Sequence, residues 1–460
     1  MSRRLQIQHH PGQFSSSSVT SSPLEQPPCE CIDGVALDWS GRGTSHVDYH
    51  KSEILPLVQG EFLGHGMQGG VYETNCNGVK LAWKRKYCRR KIDKRERREI
   101  EIIKKLSHRH IIRLMGTYTH GPFLGLLLWP VAICDLATLL EDVDWLVMRT
   151  SFWSQVKTEP LEDQTEHELD RKARLHALGI PIQSQAISSS PAATFLKQTI
   201  GCIASAVTFL HASDIKHKDL KPSNILLSRD GLWLTDFGTA TDFSVLTTSV
   251  SENGERGTPK YFAPEVASFA PSGRSADIFS LGCIMFEIIT LYMSHILQVS
   301  QKLRKSKDRS FQSNLSHIVG WFEEDLWIGT TAADDNLLGL VRWMIEEEEA
   351  ARPTAQVVEE EIALINGLGL ALCVKHARPR DMGTYRTCCI PETSADRSTT
   401  VPPTLKLEAT IDITHGTTYL MSRPRPTCTV YLRHTGGTLV ESVHIFLVSA
   451  FRRSRCRCSD

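Results

Sequence analysis

Three things are scarce in this 460-residue sequence, and each scarcity removes a class of reading. The first is charge of one dominant sign. Lys+Arg and Asp+Glu are equal at 52 each, so net charge makes no case for nucleic acid or for an acidic partner. The second is long apolar runs. No stretch approaches the roughly 20 apolar residues that a membrane-spanning helix needs, and the best candidate, Val443 to Phe451, contains His444 and Ser449. Met1-Ser2-Arg3-Arg4-Leu5 leads into no apolar core, which argues against a secretory leader. The third is ordered cysteine spacing. The 13 Cys are odd in number and scattered, so reduced thiols in the cytoplasm or nucleus are expected rather than a disulfide framework. Cys29 with Cys31, Cys388-Cys389 and Cys456-x-Cys458 all lack matching ligands at zinc spacing.

What remains is ordinary globular material, 41% hydrophobic and 23% charged, enough for two to three domains or for one bilobal unit with tails. Residues 1–57 read as a low-complexity, unstructured segment, with a Ser/Thr-rich run from Ser15 to Ser22 followed by Pro27-Pro28. Residues 366–460 read as a poorly structured tail, with only weak alternation at Leu407 to Tyr419 and Cys428 to Tyr431. Between them, 58–365 carries strong patterning. An insertion at about 142–192 interrupts it, charged from Glu162 to Lys172 and Ser/Pro-rich at its exit.

The chemistry concentrates at His217-Lys218-Asp219-Leu220-Lys221-Pro222-Ser223-Asn224. Asp236-Phe237-Gly238 follows, after an apolar run broken at Asp230-Gly231 that predicts a hairpin of two short strands. Such a hairpin brings Asn224 and Asp236 together at one rim. Two oxygen ligands, a carboxylate and an ammonium on short loops suit phosphoryl transfer from a magnesium nucleotide.

Upstream, Leu63-Gly64-His65-Gly66-Met67-Gln68-Gly69-Gly70-Val71 is a glycine-rich turn whose backbone amides can approach phosphates. Strand-like sequence follows it, not the helix a dinucleotide site requires, so that reading loses. Lys84 ends the next strand. Ile102, Ile103 and Leu106 then repeat at helical spacing with Glu99 on the same stripe and Glu101 off it. A carboxylate on a buried stripe needs a partner, and Lys84 is the natural one. Trp83 should point to the opposite strand face. The ten Lys/Arg between Lys84 and Arg98 read as a solvated face. Leu126 to Leu128 reads as a buried strand that Pro130 ends. Helices are expected from Phe195, over Asp277 to Leu291 (apolar nearly all round, hence central and buried) and from Leu337 to Ile345.

In this order, the glycine loop, strand Lys, helix Glu, catalytic loop, Asp-Phe-Gly and Ala263-Pro264-Glu265 resemble a eukaryotic protein kinase catalytic domain over 58–365. The resemblance implies an α+β bilobal fold, with a small antiparallel sheet and one long helix in the N-lobe and a larger, mainly helical C-lobe. It implies ATP and Mg2+ as cofactors. Gly64, Gly66 and Gly69 would cover the phosphates, and Leu63, Val71, Ala82 and Leu226 would sandwich the adenine. Leu128 would be the gatekeeper and Trp129 to Val131 the hinge. Lys84, held by Glu99, would meet the α- and β-phosphates. Asp219 would accept the substrate proton, Lys221 would stabilise the moving phosphoryl, and Asn224 and Asp236 would bind metal.

Supporting roles fall to His217, Lys218, Phe237, Gly238, Asp277 and a Glu265–Arg352 pair. Lys221 and Gly257-Thr258-x-x-Tyr261 resemble the serine/threonine class, so protein substrates with Ser/Thr acceptors are the implied partners. No membrane span and no specific nucleic-acid partner are expected. Lys218 stands where the family carries Arg, replacing a bidentate grip on loop phosphate with a point charge. Thr247, Thr248, Ser249 and Ser251 are the hydroxyls available for loop phosphorylation. The rival reading is a kinase-shaped binding module without catalysis; the presence of Lys84, Asp219, Asn224 and Asp236 weighs against it.

Overall fold

The computed structural model describes residues 29–66, 69–88, 94–153, 165–182, 191–229, 231–245, 258–293, 296–323, 331–365, 428–429 and 444–445. Thr247, Thr248, Ser249, Ser251, Asp230, Gly257 and nearly all of the 366–460 tail lie outside them. A second compact unit spans Ile390–Asp460, in which Cys428–Thr429 pairs antiparallel with His444–Ile445. Everything that follows belongs to the first unit.

Its N-terminal lobe is built on six strands: β1 (His46–Tyr49), β2 (Phe62–Gly66), β3 (Gly69–Cys76), β4 (Val79–Tyr87), β5 (Arg113–His120) and β6 (Phe123–Trp129). Their spatial order is β1-β5-β6-β4-β3-β2. All the pairs are antiparallel except β1 with β5, which run parallel. Two helices belong to this lobe, α1 (Cys29–Leu37) and α2 (Lys94–Lys105).

The sheet is the expected antiparallel one with a parallel edge strand added, and that strand comes from a segment expected to be unstructured as far as residue 57. The chain from 29 to 49 is folded, and five of its apolar side chains pack on the sheet while Leu37 stays exposed. Ile32, Val35, Trp39, Val47 and Tyr49 are buried with Leu81, Trp83, Met115, Tyr118 and Leu127 in a core separate from the main one. Trp39 fits because position 116 is glycine. A Cβ there would come within 2.2 Å of the indole. Trp83 does face away from Lys84, and its indole N–H donates to the Tyr118 hydroxyl at 2.8 Å.

The C-terminal lobe is mainly helical. It comprises α3 (Leu136–Trp153), α4 (Glu166–Ala177), α5 (Pro191–Ala212), α6 (Pro264–Ala267), α7 (Ser275–Tyr292), α8 (Leu297–Leu303), α9 (Ile318–Glu323), α10 (Ala332–Met344) and α11 (Ala355–Leu364). Short strands lie under the cleft: β7 (Cys134–Asp135), β8 (Ile215–Lys216), β9 (Ile225–Ser228), β10 (Gly231–Leu234) and β11 (Thr241–Asp242). β9 and β10 form the expected hairpin with β7 alongside, and β8 pairs with β11.

α7 is the hub, buried along nearly its whole length and packed by α3, α5, α8 and α10. Two helices, α5 and α7, are in fact long and apolar enough to cross a membrane by composition, contrary to the sequence expectation. Yet 67% and 94% of their apolar windows are buried inside the molecule, so packing accounts for that apolarity. The stretch expected as an insertion, about 142–192, opens within a helix. α3 continues to Trp153, and buried Asp142 within it accepts two hydrogen bonds from Arg174 of α4, both at 2.8 Å.

Candidate active site

Lys84 stands on β4 opposite Val71 of β3 and Leu126 of β6, which fixes its side chain over the cleft. Its ammonium lies 3.3 Å from Glu99 Oε1 on α2 and 3.0 Å from Asp236 Oδ1. Burial disfavours the ammonium, but the two carboxylates more than offset it and the Lys84 pKa is raised. Burial likewise opposes ionisation of Asp236. The nearby Lys84 charge and hydrogen bond win, and the carboxyl is held at about 2. Asp236 adopts a left-handed backbone at φ 64°, and the following turn buries Phe237 beside the His217 ring. Gly238 lies in that turn.

The His217–Asn224 stretch is hung from α7. Asp277 accepts the backbone N–H of His217 at 2.8 Å and of Lys218 at 3.0 Å, and its Oδ2 lies 3.1 Å from His211 Nε2. Buried Asp277 should resist ionisation, but the His211 hydrogen bond and neighbouring positive charge bring it down to about 2. Lys218 takes a left-handed conformation, φ 68°, between these anchors. His217 is fully buried, with Nε2 3.0 Å from the Thr235 carbonyl.

Asp219 is surrounded by donors. Lys221 Nζ donates to Oδ2 at 2.7 Å, and Thr258 N–H and hydroxyl donate to Oδ1 at 2.9 and 3.2 Å. Lys221 also donates to the Thr258 hydroxyl at 2.9 Å, closing a triangle. Asn224 Nδ2 donates to the Asp219 carbonyl at 2.8 Å. With its nitrogen committed there, the amide oxygen of Asn224 faces the other way. Thr235 N–H donates to the Asn224 carbonyl at 3.0 Å, holding the Asp236 strand end beside it.

The expected adenine-facing residues fall at the same cleft. Ala82 and Leu128 are register partners on β4 and β6, and Leu226 on β9 is paired with Asp135 just after Trp129 to Val131. Ala82 and Leu226 are half-buried against the main core, and Leu128 is within it. In the glycine turn, Gly64 pairs with Val71 and Gly66 with Gly69, while Leu63 is exposed. Position 69 has no room for a side chain, since a Cβ would fall 1.8 Å from the Arg85 carbonyl oxygen. Farther off, Arg352 grips Glu265 through two bonds of 2.7 and 2.8 Å and also caps the Glu346 and Glu347 carbonyls.

Sequence reasoning missed three members of this neighbourhood. Lys86 Nζ contacts the second oxygen of Glu99, Oε2; strand alternation from Lys84 was the signal available for it. Lys105, near the end of α2, pairs with Asp242 at 2.6 Å, tying the helix to the segment after Asp-Phe-Gly. Lys216 is buried beneath the loop, donating to the Ser272 carbonyl and hydroxyl at 3.1 and 2.7 Å. Burial brings its pKa down to about 8.

Comparison with known proteins agrees with this geometry. The family model described as "Protein kinase domain" matches residues 168–361. Serine/threonine-protein kinase AtPK1/AtPK6 of Arabidopsis thaliana is 38% identical over 123 residues, 25% of this chain and 26% of that protein. Serine/threonine-protein kinase ATG1 of Pichia angusta is 26% identical over 289 residues, 56% of this chain and 33% of that protein. Human 3-phosphoinositide-dependent protein kinase 1 is 40% identical over 88 residues, 19% of this chain and 16% of that protein. The matched stretches thus span between about a sixth and a third of these relatives' own lengths. Residues 168–361 thus match a protein kinase domain, and the bilobal architecture and the relatives named above are of the same kind.

Proposed function

We propose that this chain is an active serine/threonine protein kinase, transferring the γ-phosphoryl of ATP to a Ser or Thr hydroxyl of a protein. The observation that carries this reading is the double contact of Lys84 with Glu99 and Asp236, set beside an Asp219 already oriented by Lys221, Thr258 and Asn224. A chain retained only as a binding scaffold has no need to keep both halves in register.

In this account Gly64, Gly66 and Gly69 cover the phosphates, and Leu63, Val71, Ala82, Leu128 and Leu226 enclose the base against the Trp129 to Val131 hinge. Lys84 holds the α- and β-phosphates. Asp219 takes the proton of the acceptor hydroxyl as its oxygen attacks the γ-phosphorus in line. The bond from that phosphorus to the bridging oxygen breaks, and Lys221 meets the charge on the moving phosphoryl. An amide oxygen on Asn224 and a firmly ionised carboxylate on Asp236 are hard donors that fit magnesium. Bound there, the ion would neutralise developing charge on the β- and γ-oxygens.

The test is label transfer from radiolabelled ATP with magnesium to a generic basic protein, by the purified full chain. Transfer of label to Ser and Thr supports the reading. ATP binding without any transfer would replace it with a kinase-shaped binding module.

A further inference from the structure

Glu99 is shared by two lysines. Lys84 and Lys86 are alternate residues of β4, so both side chains leave the same face of the strand. Lys84 Nζ meets Glu99 Oε1 and Lys86 Nζ meets Oε2, so each carboxylate oxygen has its own ammonium. Neither lysine is a loosely held surface cation. Their side chains are about a tenth exposed and that of Glu99 is buried. Lys84 carries a further duty, because its ammonium also contacts Asp236. With Lys86, two ammonium groups balance two carboxylates. Without it, one lysine would serve both acids.

That arrangement matters when a polyphosphate arrives. Phosphate oxygens compete with Glu99 and Asp236 for the Lys84 ammonium. A helix carboxylate held by Lys84 alone would then lose part of its partner at the moment α2 must stay in place. Resting on the kinase reading above, we infer that Lys86 is a positioning residue. It retains Glu99, and through it α2, while Lys84 turns to the phosphates. The long-range field of Lys86 also favours the ionised form of Asp236.

The experiment compares full-length wild type with Lys86→Met, Lys86→Gln and Lys86→Arg. Amide hydrogen exchange of Lys94–Lys105 is followed without nucleotide, and then kcat and KM for ATP are measured. Loss of the lysine charge should speed exchange in α2 by about tenfold, since a charged hydrogen bond is removed. It should raise KM for ATP by about tenfold with kcat changed less than about twofold. Lys86→Arg should restore both within about twofold.

Unchanged α2 exchange in Lys86→Gln would overturn the inference whether or not the protein binds ATP. So would a uniform loss of stability with no change in KM. Failure of the wild type to bind or use ATP would instead strike the proposed function, leaving the exchange comparison to judge Lys86. If Lys86→Met does not fold, Lys86→Gln, which keeps the polar volume without the charge, decides.

Discussion

Thr258 holds Asp219 twice, through its backbone N–H at 2.9 Å and its hydroxyl at 3.2 Å, and takes a hydrogen bond from Lys221 at 2.9 Å. The segment before Ala-Pro-Glu is thereby a direct support of the proposed base. Thr258→Val keeps the shape and the backbone bond but loses the hydroxyl. It should lower kcat by about 10- to 100-fold, the effect of a misoriented proton acceptor, with ATP affinity unchanged. Steady-state kinetics beside ATP titration calorimetry checks this; an equal loss in ATP affinity would contradict it.

The folded segment 29–49, a strap on the N-lobe sheet, makes a stability prediction. Trp39 is buried against Tyr49 and Tyr118, and its indole N–H donates to the Ser45 carbonyl at 3.2 Å. Trp39→Ala should cost about 3–5 kcal/mol, the usual range for an aromatic core deletion. A chain beginning at residue 58 exposes Trp83, Tyr118 and Leu127 together. It should melt lower than one beginning at residue 29, or aggregate. Denaturant titration of the three proteins measures the difference.

Buried Arg352 forms a two-point pair with half-buried Glu265. Arg352→Ala leaves the carboxylate without its partner and strands three backbone carbonyls, those of Ser275, Glu346 and Glu347, so the loss should be about 3–5 kcal/mol. Arg352→Lys, which cannot make the fork, should recover only part of it. Chemical denaturation of both variants, with unfolding followed by fluorescence, provides the numbers.

Lys216 gives a pH signature. Its pKa is lowered to about 8 in the folded chain by burial, from an ordinary 10.5. Between these values the unfolded chain binds one more proton than the folded one, so stability rises with pH across that window. The integrated gain is about 3 kcal/mol. Lys216→Met should flatten this limb of the stability–pH curve. Asp277 acts at the other end. With its pKa held near 2 rather than 3.8, its contribution is present above about pH 4 and is lost as pH falls through 2.

The parts of the fold legible in sequence were those written in local pattern. Glu99 could be paired with Lys84 because helical spacing put it on the stripe of Ile102, Ile103 and Leu106. α7 was legible because it is apolar on every side. The strap was not legible, because Trp39 and Tyr49 belong to short elements whose partner surface, Trp83 and Tyr118, is distant in sequence. Parallel pairing of β1 with β5 leaves no local mark of the kind a hairpin turn leaves. Lys86 was hidden for another reason. Among ten Lys/Arg in one stretch, strand alternation puts Lys86 on the face of Lys84, but only the third dimension shows its ammonium buried against Glu99. Lys216 was masked by its neighbours, since a lysine beside His217-Lys218-Asp219 reads as one more loop cation until its burial is seen.

The central claim is that Asp219 serves phosphoryl transfer. Its most direct test is single-turnover label transfer from ATP by the full chain and by Asp219→Asn, with ATP affinity measured on both. The account predicts near-equal affinity and a transfer rate reduced by about 100- to 10,000-fold in the variant. Equal transfer rates in the two proteins would contradict it.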